Sequence, residues 1–167
     1  TRIATGAGCM AMVTGQFDAL PGLDLLAAVG ASGGEGGEEG GGRARAAGSL
    51  DLYSNDGAGN FTKSTTVELA YRPTLLAAGD LNGDGFTDAV VVVDSSDGGP
   101  DPYELLVFEN DGSGGLVPQA TLAFAHVPIR VVIADLDGLN GPDLVVSATR
   151  CNEYGDPIEG CLGVALQ

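Results

Sequence analysis

At 167 residues the chain is long enough for one buried core, and 44% hydrophobic content argues against global disorder. Seven basic against 23 acidic residues leave a net charge of −16, which disfavours nucleic acid and anionic membrane surfaces as partners and favours divalent cations, although an acidic solvated surface accounts for most of it. No apolar run approaches the roughly 20 residues of a membrane span, and no signal-peptide pattern opens the chain at Thr1, so it reads as a processed product or a piece of something longer.

In chain order, Arg2-Ile3-Ala4-Thr5 is short strand material, and Cys9-Met10-Ala11-Met12-Val13 is a second strand in which Cys9 reads as a small hydrophobe. Gly15-Gln16-Phe17-Asp18-Ala19-Leu20-Pro21-Gly22-Leu23-Asp24 then leads into an apolar run at 25–29. Residues 30–48 contain the glycine- and glutamate-rich stretch 33–42, which cannot bury enough apolar area to offset its ordering entropy and is expected to be mobile. A strand at 50–53 runs into Asn55-Asp56-Gly57-Ala58-Gly59, a hairpin turn signal, and a fourth strand follows at 66–69. Asn60-Phe61-Thr62 is an N-glycosylation acceptor sequence, meaningful only in a glycosylating host, and equally a plain turn exit.

The next segment, Asp80-Leu81-Asn82-Gly83-Asp84-Gly85-Phe86-Thr87-Asp88, carries an oxygen-bearing side chain at every second position and enters Ala89-Val90-Val91-Val92-Val93. Ca²⁺ takes six to eight oxygen ligands, and alternate residues of a tightly curled loop point inward, so the first, third, fifth and ninth side chains can converge on one ion. Gly85 permits the sharp turn. An EF-hand would need a Glu at the twelfth position between two helices; here that residue is Val91, and the β-branched run is strand material, so Asp88 closes the loop instead. Mg²⁺ fits less well, since it demands octahedral geometry and gives up water reluctantly.

The pattern then repeats. A strand at 105–108 meets Asn110-Asp111-Gly112-Ser113-Gly114, another strand lies at 121–124, and Ala134-Asp135-Leu136-Asp137-Gly138-Leu139-Asn140-Gly141-Pro142-Asp143 enters an apolar run at 144–148. The three acidic segments align without a gap, which defines a unit of four short antiparallel strands. The spacing predicts an all-β, propeller-like array of about three four-stranded antiparallel blades with calcium loops between strands 1 and 2. Unit one covers 9–70, unit two 74–125 and unit three 130–167, with the fourth strand of a blade at 1–6. Unit three stops where its Asn-Asp-Gly would begin, so residues 1–5 are expected to complete it, within one chain or between chains in a larger ring or fibre.

These residues resemble the FG-GAP and VCBS repeats, the calcium-loop blades of integrin-type propellers and many bacterial surface proteins. The resemblance rests on D-L-N-G-D-G-F-T-D from Asp80 and N-D-G-A-G-N-F-T from Asn55. The Phe-Gly and Gly-Ala-Pro signature is absent and Leu116 stands where the first copy has Phe61, so the chain is most similar to the bacterial VCBS-like branch. The resemblance implies calcium ligation by the side chains of Asp80, Asn82, Asp84 and Asp88 with the Phe86 carbonyl. It implies a second site at Asp135, Asp137 and Asp143 with the Gly141 carbonyl, where Leu139 replaces the acidic fifth residue and water or Asn140 fills the gap. In the first copy only Asp18 and Asp24 are anionic, with Gln16 and Leu20 at the first and fifth positions, and a metal-free turn held by Asx hydrogen bonds is the favoured alternative.

Sequence motifs for catalysis are wanting: there is no H-E-x-x-H, no G-x-S-x-G and no phosphate-cradling loop, and His126, the one histidine, stands just before a strand. The expected chain is therefore no enzyme. Cys151 and Cys161 bracket the link between strands two and three of the last unit; a disulfide is expected in an oxidising, extracellular compartment, with zinc the alternative for paired cysteines. The links at 30–48, 94–102 and 152–160 fall opposite the calcium loops; the resemblance to integrin-type propellers, which engage ligands on that face, implies a binding role for residues 94–103 and 151–160, with tolerant surface insertions the equal alternative. Two functions follow as expectations. One is a calcium-stabilised extracellular or cell-surface module for adhesion, matrix binding or assembly, meeting a protein or glycan partner at its loops. The other is a carbohydrate-binding, lectin-like propeller or accessory domain, for which the absence of Trp and the presence of Tyr53, Tyr71, Tyr103 and Tyr154 offer few stacking platforms.

Overall fold

The computed structural model describes residues 3, 8–31, 47–95, 102–139, 141–151 and 157–165, with side chains through residue 149. The expected strand at 1–6 therefore lies outside the described residues except for Ile3, as do most of the links at 30–48, 94–102 and 152–160. Eleven strands are described, in chain order β1 (Gly8–Gly15), β2 (Asp24–Gly30), β3 (Gly48–Asn55), β4 (Phe61–Leu69), β5 (Arg72–Gly79), β6 (Asp88–Asp94), β7 (Tyr103–Asn110), β8 (Leu116–Phe124), β9 (Val127–Ala134), β10 (Asp143–Cys151) and β11 (Pro157–Ala165). They form three antiparallel meanders, β1-β2-β3-β4, β5-β6-β7-β8 and β9-β10-β11. The protein is all-β, with propeller-like blades; the sheets form no closed ring among the described residues.

The core sits between blades, which explains the unbroken apolar runs. A strand buried on one face alternates polar and apolar residues, whereas one sandwiched between sheets is apolar throughout. In β6, Ala89, Val91 and Val93 join Leu26, Ala28, Leu50 and Leu52 of the first blade, while Val90 and Val92 face the opposite way and meet Leu144 and Val146 of the third. All five β6 residues are fully buried. The first strands of the blades lie side by side, β1 against β5 and β5 against β9. The outer strands β4 and β8 present mostly exposed residues, consistent with their threonine, lysine and glutamine content. Ile3 packs on a smaller cluster of Ala27, Val29 and Tyr53 on the far face of the first blade, where Cys9 and Phe61 also sit.

Two glycines mark close approaches of neighbouring blades beside the acidic loops. A Cβ on Gly15 would stand 2.5 Å from Thr87 Cγ2, and one on Gly79 would stand 2.9 Å from Ile133 Cγ2. Each ends the first strand of its blade, immediately before the acidic loop.

Packing of this kind makes the buried layer sensitive and the outer strands tolerant. Leu52→Ala should cost about 2–5 kcal/mol in urea unfolding, as buried leucine truncations do. Leu122→Ala on the outer strand, 39% exposed, should cost a small fraction of that; equal losses would place the core elsewhere.

Candidate metal centre

The three acidic loops share one hydrogen-bonded frame, built around the aspartate at their ninth position. Asp24, Asp88 and Asp143 are the first residues of β2, β6 and β10, and each is buried. In each loop one carboxylate oxygen accepts the N–H of the second loop residue: Phe17 to Asp24 Oδ2 at 2.9 Å, Leu81 to Asp88 Oδ2 at 2.7 Å and Leu136 to Asp143 Oδ2 at 2.8 Å. In the first two blades the other oxygen accepts the N–H of the hairpin asparagine, Asn55 to Asp24 Oδ1 at 2.9 Å and Asn110 to Asp88 Oδ1 at 2.8 Å. The asparagine side chain returns to the loop, donating to the carbonyl of the eighth residue, Leu23 or Thr87. The acidic loop and the N-D-G turn are thus one bonded unit.

Burial pushes the Asp88 carboxyl above the usual carboxylate range; the N–H groups of Asn110 and Leu81 pull it back, and the nearby charges of Asp84 and Asp80 raise it further. A cation at the loop would relieve that repulsion.

In the central loop every candidate side chain is held by loop amides. Asp80 accepts from the N–H groups of Gly83, Asp84 and Gly85, Asn82 Oδ1 accepts from Asp84 N–H, and Asp84 Oδ1 accepts from Phe86 N–H. Asn82 Nδ2 donates to Asp84 Oδ2 and to Glu109 Oε1 on β7, a partner outside the motif. Gly85, at φ 91°, takes the left-handed conformation that the turn requires. In the last loop, Asp135, Asp137 and Asp143 each offer a carboxylate oxygen within 4.8 Å of the others. Oxygens sharing a Ca²⁺ at 2.3–2.6 Å stand no more than about 5 Å apart, so this trio fits the ion. Among the described residues it is the one acidic set this close. The central loop has the fuller ligand set in sequence, yet the tighter carboxylate cluster lies in the last loop.

The first loop differs. Leu20 N–H still reaches Asp18 Oδ1 at 2.8 Å, as Leu139 N–H reaches Asp137 Oδ1. The Gln16 amide, however, donates to the carbonyls of Asp18 and Leu20. Gln16 is also bonded through its backbone to the next blade: its N–H donates to Thr87 Oγ1 and its carbonyl accepts from Thr87 N–H, both at 2.9 Å. Asn110 Nδ2 adds a third tie, to the Phe17 carbonyl at 2.8 Å.

The remaining sequence-derived residues are placed as follows. His126 lies in the bend between β8 and β9. Asn60 is exposed, with its side-chain amide donating to Asp56 Oδ2. Cys151 and Cys161 lie on paired strands, but Cys161 stands opposite Ala148 and Cys151 opposite Pro157; their side chains, and hence the expected disulfide, lie outside the described residues, as does Asn140. Sequence reasoning missed Asp51, buried on β3 and paired with Lys63 Nζ at 2.9 Å, with the Ser49 and Thr66 hydroxyls donating to its Oδ1. Its signal was a lone acid inside the otherwise apolar alternation at 50–53.

Two outcomes test this frame. Asp24→Asn replaces an acceptor of three backbone N–H bonds with a group that brings donors of its own, and should cost at least the roughly 1.5–3 kcal/mol of one charged hydrogen bond in denaturant unfolding. In the hairpin turns, Asp56 is held below its ordinary value of 3.8 by the Asn60 amide and the backbone N–H groups of Ala58 and Asn60. Asp111 is held below 3.8 by the Ser113 hydroxyl and the N–H groups of Ser113 and Gly115. A depressed carboxyl adds stability that is complete above its unfolded pKa and is lost as pH falls through its folded one. Carboxyl-carbon NMR should therefore give midpoints below 3.8 at both; ordinary midpoints would mean that these turns are open in solution.

The family model of the FG-GAP-like repeat matches residues 23–91 and again residues 80–146. No curated protein and no solved structure gave a match. The two matches cover most of the chain and run through both N-D-G turns and all three ninth-position aspartates, and the chain belongs to the FG-GAP-like repeat family.

Proposed function

We propose that the chain is a calcium-stabilised repeat module of an extracellular or cell-surface protein, acting in adhesion, matrix binding or assembly rather than in catalysis. The observation that carries this reading is the Asp135, Asp137 and Asp143 cluster, whose oxygens lie within 4.8 Å of one another on an already folded frame. The central loop supports it with three carboxylates and Asn82 around the same frame, and the net charge of −16 makes bound divalent cations favourable for the compact state. Phe86 and Gly141 would contribute backbone carbonyls.

A carbohydrate-binding role ranks second. Of the tyrosines that could stack on sugars, Tyr53 is buried, and Tyr71 and Tyr103 pack against the clusters between blades. A protein partner at the blade ends opposite the loops is the better fit. Those ends are bracketed by Gly30 and Gly48 in one blade and by Asp94 and Tyr103 in the next.

The test is thermal unfolding with calcium and with excess chelator. A site filled to 100 times its Kd adds about 2.7 kcal/mol, so calcium should raise the melting temperature by several degrees. Asp137→Ala and Asp84→Ala should each remove part of that rise, and together most of it. Identical curves with calcium and with chelator would refute the proposal.

A further inference from the structure

At their first, third, fifth, seventh and ninth positions the first and last loops differ once; outside those positions Pro21 stands where the last loop has Asn140. Asp18 matches Asp137, Leu20 matches Leu139, Gly22 matches Gly141 and Asp24 matches Asp143; only Gln16 departs, standing where the last loop has Asp135. That exchange reverses polarity. Asp135 is an acceptor, taking the N–H of Gly138. The Gln16 side-chain nitrogen is a donor, reaching the Asp18 carbonyl at 2.5 Å and the Leu20 carbonyl at 2.8 Å. Carbonyls only accept, so this orientation of the carboxamide follows from its partners. Both bonds go to carbonyls of the same loop.

We infer that the Gln16 carboxamide takes the place of a cation in the first loop, making that loop a permanent, ion-independent member of the array. Its two N–H donors tie the third and fifth loop residues to the first, the positions that an ion would otherwise draw together, without a net charge to desolvate. The Gln16 backbone is pinned by its reciprocal bonds with Thr87, so the side chain starts from a fixed point. Thr87 lies between Phe86 and Asp88 of the central loop, and Asn110 ties the Phe17 carbonyl to the same place. The first loop therefore gives the central loop a set edge to form against, whether or not an ion is present. This goes beyond the proposed calcium role, because it concerns a loop that needs no ion.

The test is residue-resolved amide exchange on the full chain, read at Leu20, whose N–H donates to Asp18 Oδ1. In the wild type, Leu20 should be equally protected with calcium and with excess chelator. Gln16→Met keeps the length but removes the donors, and should speed Leu20 exchange at least tenfold in both conditions. Gln16→Asp gives the loop the residue types of the last one at those five positions; it should bind one more calcium per chain by titration calorimetry and make Leu20 protection calcium-dependent. Wild-type protection that rises with calcium, or unchanged exchange in Gln16→Met, would overturn the inference. A wild type that binds no calcium refutes the functional proposal instead, and Gln16→Met still decides this one, as it does if Gln16→Asp fails to fold.

Discussion

The rest of the structure depends on a buried carboxylate at the mouth of each second strand. Asp24, Asp88 and Asp143 sit where a charge is costly to desolvate, and that cost is met by backbone N–H groups converging on their oxygens. In the first two blades the same carboxylate holds the hairpin turn at the end of the adjacent strand. One side chain thus fixes the start of the apolar strand, the curl of the acidic loop before it and the turn that stacks beside it. Packing between the blades then follows, because in the first two blades the strand that the aspartate starts is the one buried on both faces.

Much of this was legible in the residues. Continuous runs such as Ala89 to Val93 announced strands, and the alignment of three D-x-D-type segments announced repetition at a spacing that suits four-stranded blades. The link between the acidic loop and N-D-G was not legible, although both motifs recur together, because their separation changes with the length of the loop between strands two and three. Neither was the role of Gln16. At the first loop position a glutamine reads as a lost ligand, and only its placement shows the amide aimed at two carbonyls. Asp51 and Lys63 met across strands whose register no local pattern sets.

The three loops form a graded series on one frame. The last brings three carboxylates together, the central one spreads its carboxylates over backbone donors, and the first closes on an internal amide. Graded loops suit the proposed role of a module stiffened by calcium, since part of the array keeps its geometry when the ion leaves. The ties from Thr87 and Asn110 to the first loop put that constant part in direct contact with the responsive one.

The central claim is that the ninth-position aspartates hold the loops and turns without help from an ion. Its most direct measurement is amide exchange in excess chelator at the N–H groups of Phe17, Leu81, Asn55 and Asn110, which those carboxylates accept. The account expects protection comparable to that of the neighbouring strand amides of β2 and β6. Exchange as fast as in exposed turn amides, slowing only when calcium is added, would contradict it.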